Sequence, residues 1–96
     1  MRVVTAQIMR AWSQGKSKKV GNTRTDGKNI WLYGNPIVRT VDGHVYISDG
    51  GHATATTRER LNGFLRHMNI RGYVSQRNYT QYYCEQPWDG NWTMVL

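Results

Sequence analysis

The apolar positions of this chain follow two different periods. Val4, Ile8, Ala11 and Trp12 fall at i, i+4, i+7 and i+8, which predicts a short amphipathic helix over roughly 4–14, ended by Gly15. From Val20 the period becomes two. Ile30 and Leu32 alternate with Trp31 and Tyr33, and Val45 and Ile47 alternate with His44 and Tyr46. Asp26-Gly27, Gly34-Asn35 and Asp42-Gly43 read as two-residue hairpin turns, because such turns need φ > 0. The pattern predicts a four-stranded antiparallel meander over 19–25, 28–33, 36–41 and 44–48.

After a Gly-rich loop the helical period returns. Leu61, Phe64, Leu65 and Met68 form one stripe, so a helix is expected over about 57–68, stopped by Asn69 or Gly72. Thr56 and Glu59 have capping-box spacing. Strand-like pieces follow at 70–76, 79–85 and 91–95, with turns at Arg77-Asn78 and Asp89-Gly90. Helix, meander, helix and C-terminal strands make the class α+β. Ninety-six residues are expected to form one domain, residues 1–96.

Charge changes the picture more than composition does. The net charge is +7, and all of that excess lies in residues 1–40. Residues 41–96 balance. A one-sided excess favours a polyanionic partner, with nucleic acid, and DNA in particular, the first expectation. No apolar run approaches the ~18 residues of a membrane span, and the N-terminus lacks a signal-peptide layout. No membrane partner is therefore expected. The single cysteine, Cys84, excludes a disulfide framework and a Cys-rich metal site, and in its strand it reads as a buried structural thiol.

Several residues carry candidate chemistry. Lys16, Lys18, Lys19, Arg24 and Lys28 form a basic run that would neutralise phosphates, close in sequence to Trp31 and Tyr33. Alternation puts Lys28 on the face of Ile30 and Leu32, away from those aromatics. Asn22 and Thr23 read equally as nucleic-acid contacts or as local structure. Thr54, Thr56, Thr57 and Arg58 surround an expected helix N-terminus, where exposed N–H groups suit an anion. Arg60 flanks the core stripe and reads either as a ligand contact or as part of a structural network.

Asp42, His44, Asp49 and His52 are the one concentration of acids and histidines. They match no metal signature, and no resident metal or cofactor is expected. Asp49, His52, His44 and Tyr33 are the candidates for a nuclease, which would use Mg²⁺. Trp88 and Trp92 bracket Asp89-Gly90 as a cross-strand aromatic pair would.

The segments Gly21-Asn22-Thr23, Leu32-Tyr33-Gly34-Asn35-Pro36-Ile37, Gly51-His52-Ala53-Thr54-Ala55-Thr56-Thr57-Arg58-Glu59-Arg60-Leu61-Asn62 and Gln76-Arg77 occur in that order. Together they resemble a family of small, mostly uncharacterised tailed-bacteriophage proteins, over roughly residues 20–95. Two positions depart from the pattern: Tyr33 replaces its usual His, and His52 its usual Trp. A Tyr, with a pKa near 10, is a poor general base, so the first departure favours a contact role. The resemblance implies a phage origin and expression in the host bacterial cytoplasm. It also brings an association with site-specific DNA nicking.

Three functions remain open on the sequence. One is nucleic-acid binding through the basic segment and the helix N-terminus. A second is metal-dependent nicking. The third is host takeover by binding and inhibiting a host protein, which would need an exposed aromatic patch such as Trp31, Tyr33 and Tyr46.

Overall fold

The computed structural model describes residues 3–96; Met1 and Arg2 lie outside the described residues. The first helix, α1 (Val3–Ser13), buries Thr5, Ile8, Met9 and Ala11. It ends in a Schellman motif. Gly15 takes φ +67, the Lys16 N–H reaches Ala11 O at 2.9 Å, and the Gly15 N–H reaches Trp12 O at 3.1 Å. Trp12 packs edge-on against Phe64, with ring centroids 4.9 Å apart.

The meander has five consecutive strands: β1 (Lys18–Val20), β2 (Thr23–Thr25), β3 (Ile30–Leu32), β4 (Asn35–Val41) and β5 (His44–Ile47). The expected strand 19–25 is thus two strands, broken by a Gly21-Asn22 turn. Gly21 takes φ +58, as a turn with glycine at its first central position requires. The Asp26-Gly27 signal heads a four-residue loop rather than a two-residue turn, because the Asp26 carboxylate accepts from the Lys28 and Asn29 N–H groups. The third turn is Tyr33-Gly34 rather than Gly34-Asn35, with φ +52 and +80. Asp42-Gly43 forms the expected turn, with both φ positive.

A last strand, β9 (Thr93–Met94), pairs with β5 and completes a six-stranded antiparallel sheet in the order β1-β2-β3-β4-β5-β9. The second helix, α2 (Ala55–His67), lies with α1 on one face of it. Ile8, Met9, Ile30, Val38, Ile47, Leu61, Phe64 and Leu65 are fully buried between the layers. The N-cap of α2 is Thr54, whose side chain accepts from the Thr57 N–H at 3.2 Å. The capping-box expectation for Thr56 and Glu59 is therefore corrected, since Glu59 turns to Thr5 and Arg60 instead. Asn69, at φ +56, stops α2 in a second Schellman motif, with the Ile70 N–H reaching Leu65 O at 2.9 Å.

A three-stranded antiparallel sheet follows: β6 (Val74–Arg77), β7 (Thr80–Tyr83) and β8 (Gln86–Pro87). Asn62 of α2 holds it by a two-way bond to the Val74 backbone, at 2.7 and 2.9 Å. Its turns are Asn78-Tyr79, one residue later than expected, and Cys84-Glu85. Cys84 is exposed in that turn and is not a buried thiol. Trp88 and Trp92 do not pair with each other. Trp88 donates to Asn91 O and Thr93 Oγ1, while Trp92 lies beneath Arg39. The α+β class expected from the sequence is the class observed.

Candidate nucleic-acid interface

Strand alternation sorts the charged residues onto one side of the large sheet. In β2, Thr23 and Thr25 point into the core and Arg24 points out. Register then aligns Lys19, Arg24, Trp31 and Pro36 in one outward row. A β-bulge after Ile30 leaves Ile37 as an extra buried residue and returns Arg39 to the outer face. Arg39, Tyr46 and Met94 form the second outward row. None of these outward residues is an acid.

The arginines on this face are held over aromatic rings. The Arg24 guanidinium carbon lies 4.0 Å from the Trp31 ring centroid, and that of Arg39 lies 4.5 Å from Trp92. Stacking restrains the guanidinium plane and leaves its N–H edges open. Among the described residues neither arginine enters an ion pair, since the recorded pairs are Arg60–Glu59 and Arg77–Glu85. Alternation in the sequence set Lys28 apart from the aromatics, and in the structure it sits in the β2–β3 loop. Register across strands brings another member of the run, Arg24, to Trp31.

The sheet edge adds more positive charge. Arg10, Lys16 and Lys18 line a polar groove of about 290 Å³ between α1 and β1, with Gln7 and Gln14. No acid lines it. Edge lysines also discourage strand-to-strand association, a role independent of any ligand.

Six of the expected nucleic-acid contacts instead face inward or are internally bonded. Arg60 is 3% exposed. Its Nε donates to Thr23 Oγ1 at 2.9 Å, its Nη1 to Thr5 Oγ1 at 3.1 Å, and its Nη2 to Asn22 Oδ1 at 3.3 Å. It also pairs with Glu59, which accepts from Thr5. This network ties α1, the β1–β2 turn and α2 together. Thr23 and Thr57 are likewise buried. The Thr54 and Thr57 hydroxyls bond each other at 2.9 Å, Arg58 reaches back to Ala53 O, and Thr56 is half-buried. The α2 N-terminus thus has its donors turned largely on its own loop.

Beside it lies a second pocket of about 290 Å³, floored by Leu32 and Ile37. Tyr33, Asn35, Asp49, His52, Thr54 and Thr57 complete its lining. Three of the four nuclease candidates therefore meet here. His44 does not, since it is exposed beside the Asp42-Gly43 turn. Asp49 is already engaged: its carboxylate accepts from the Gly51 N–H at 2.8 Å and from Gln81 Nε2 at 3.2 Å. Among the described residues no three His, Cys, Asp or Glu side chains gather as a metal site would require.

Sequence reasoning missed Arg10, Arg39 and Trp92 as parts of the basic surface. Arg39 and Tyr46 carried a usable signal, since both alternate outward in adjacent predicted strands. Trp92 carried none, because it precedes β9, which joins the sheet from far along the chain. Residues 1–94, from α1 through β9, match the family model described as Kyanoviridae Gp96 protein. The chain belongs to that family of bacteriophage proteins. No curated protein and no solved structure matches it. No helix among the described residues is long and apolar enough to cross a membrane.

Proposed function

We propose that this phage protein binds nucleic acid, DNA in the first place, on the outer face of its six-stranded sheet. The observation that carries the reading is the pair of outward rows without an acid, on which Arg24 and Arg39 are stacked over Trp31 and Trp92 and, among the described residues, have no acidic partner. A guanidinium so restrained loses little freedom on meeting a phosphate. Lys19 continues the same row, and Arg10, Lys16 and Lys18 extend the positive surface around the β1 edge. The helix N-terminus has no necessary role in this arrangement, and the carboxylate of Asp49 makes its pocket unfavourable to an anion.

The test is a titration of labelled DNA between about 50 and 200 mM salt, the range over which phosphate contacts weaken steeply. Arg24→Ala and Arg39→Ala should each reduce the slope of log K against log salt by about one. Arg66→Ala, on the opposite side of the molecule, should leave the slope unchanged. Salt-independent binding, or none, would defeat the proposal. Plasmid incubated with Mg²⁺ or EDTA checks the enzymatic alternative at Asp49 and His52. Nicking that requires Mg²⁺ would replace the binding reading with a catalytic one.

A further inference from the structure

The pocket beneath the Tyr33-Gly34 turn has features that phosphate binding does not use. Its volume, about 290 Å³, lies at the lower end of the ~300–1,000 Å³ of ligand sites, so it suits one ring system rather than a large ligand. Leu32 and Ile37 give it an apolar floor. Tyr33 stands at the rim, 72% exposed, with φ +52. The register of β3 and β4 sets that backbone conformation, and it holds the ring out at the pocket mouth.

We propose that this pocket takes one unpaired adenine base of a strand bound to the sheet face, with Tyr33 stacked on the ring and Asn35 bonded to its edge. This rests on the nucleic-acid reading above. The Asn35 side chain offers an adjacent donor and acceptor, the pair that matches adenine N6 and N7. Among the described residues, its amide makes no hydrogen bond within the fold. Thr54 and Thr57 are occupied with each other and do not compete for the base. The Asp49 carboxylate repels phosphate, so the strand enters base first and leaves its backbone on the cationic side. Tyr33 follows Trp31 by two residues, in the turn where β3 ends, so the strand must pass the sheet end to place a base in the pocket. A base stacked in a duplex must be extruded to enter such a pocket, so a single strand is the preferred ligand.

The probes are two single-stranded thymidine oligonucleotides with an end label for affinity, one carrying a single adenine and the other a 2-aminopurine, a fluorescent purine that lacks the 6-amino group and so reports stacking on Tyr33 rather than the Asn35 contact. Wild type should change the 2-aminopurine emission on binding. An abasic site at that position should weaken binding at least tenfold. Tyr33→Asn keeps a residue suited to the left-handed turn and removes the ring, so the emission change should disappear from a protein that circular dichroism shows to be folded. Asn35→Asp should abolish the preference for adenine over thymine at that position. Equal affinity for abasic and intact strands, with an emission change untouched by Tyr33→Asn, would overturn the base pocket and leave salt-dependent binding intact. Absence of salt-dependent binding to any strand would overturn both.

Discussion

Replacing Arg60 by methionine tests whether the buried network is structural. The substitution removes a nearly buried cation that donates to Thr23, Thr5 and Asn22 and pairs with Glu59. Glu59 keeps only 22% of its side-chain exposure and would be left with the Thr5 hydroxyl as its recorded side-chain partner. Breaking a buried pair from one side costs roughly 3–5 kcal/mol. The partial exposure of Glu59 puts the expected loss at the lower end, about 3 kcal/mol. Stability for a chain of this length is about 5–14 kcal/mol, so such a loss is a large share of it. With an m-value of about 1.5 kcal/mol/M in urea, the midpoint should fall by about 2 M. Adding Glu59→Gln removes the stranded charge and should restore part of the loss, giving a coupling of about 1–2 kcal/mol. The salt slope of DNA binding by the folded variant should match wild type. A midpoint shift below about 0.3 M, or strictly additive variants, would refute the network argument.

Other positions give sharper local tests. A Cβ at Gly63 would collide with Thr5 Cγ2 where α1 and α2 meet, so Gly63→Ala should lower stability by about 1–3 kcal/mol in a thermal melt despite alanine's better helix propensity. Burial, and then the neighbouring Cys84, push the Tyr83 phenol up to about 12. A raised folded pKa means that its contribution is complete below the ordinary value of 10.0 and lost as pH rises through about 12. Ultraviolet titration should show this tyrosine ionising late, and Cys84→Ser should bring it earlier. Burial raises the Asp26 pKa, but the Lys28 and Asn29 N–H bonds outweigh it, and the net value lies below 3.8. The carboxylate's support for the β2–β3 loop is therefore present above that value and lost as pH falls through the lower folded one. Asp26→Asn should remove this acid-dependent step from the loop's NMR shifts.

Both helices and most strands were legible because burial follows period 3.6 or period 2 in those segments. Turn positions were less so. Asp42-Gly43 carries the residues its backbone needs, whereas Tyr33-Gly34, Asn78-Tyr79 and Cys84-Glu85 place non-glycine residues at positive φ. Side-chain propensity gives way there to the register of the flanking strands. The β1–β2 break was hidden because Gly21-Asn22 lies inside a run that alternates correctly on both sides. Thr54 displaced Thr56 as the cap because α2 begins at Ala55, two residues before the apolar stripe requires it. The basic segment was visible as charge, but its meeting with the aromatics depends on cross-strand pairing and a bulge, neither of which the local pattern contains. Arg60 had two readings until the burial of its guanidinium and its four partners distinguished them.

The two halves of the proposed surface differ in how they are closed. The meander is joined by turns of two to four residues, so its pairings form locally and early. The β5–β9 pairing instead joins Tyr46 to Met94, and the Asp49 N–H meets Gly90 O at 3.1 Å across a similar span. Closing so long a loop costs more chain entropy than closing a hairpin. A Cβ at Gly90 would run into the Asp49 carboxylate, so that closure also has little room for variation. Residues 88–96 should therefore open as a separate cooperative unit, releasing the 48–54 loop while β1–β5 stay paired. Amide exchange would then report two opening free energies, a lower one for Asp49 and Gly51 and a higher one for Ile30 and Val38. The row of cations would outlast the pocket, and a strand would be held by its phosphates before any base is read.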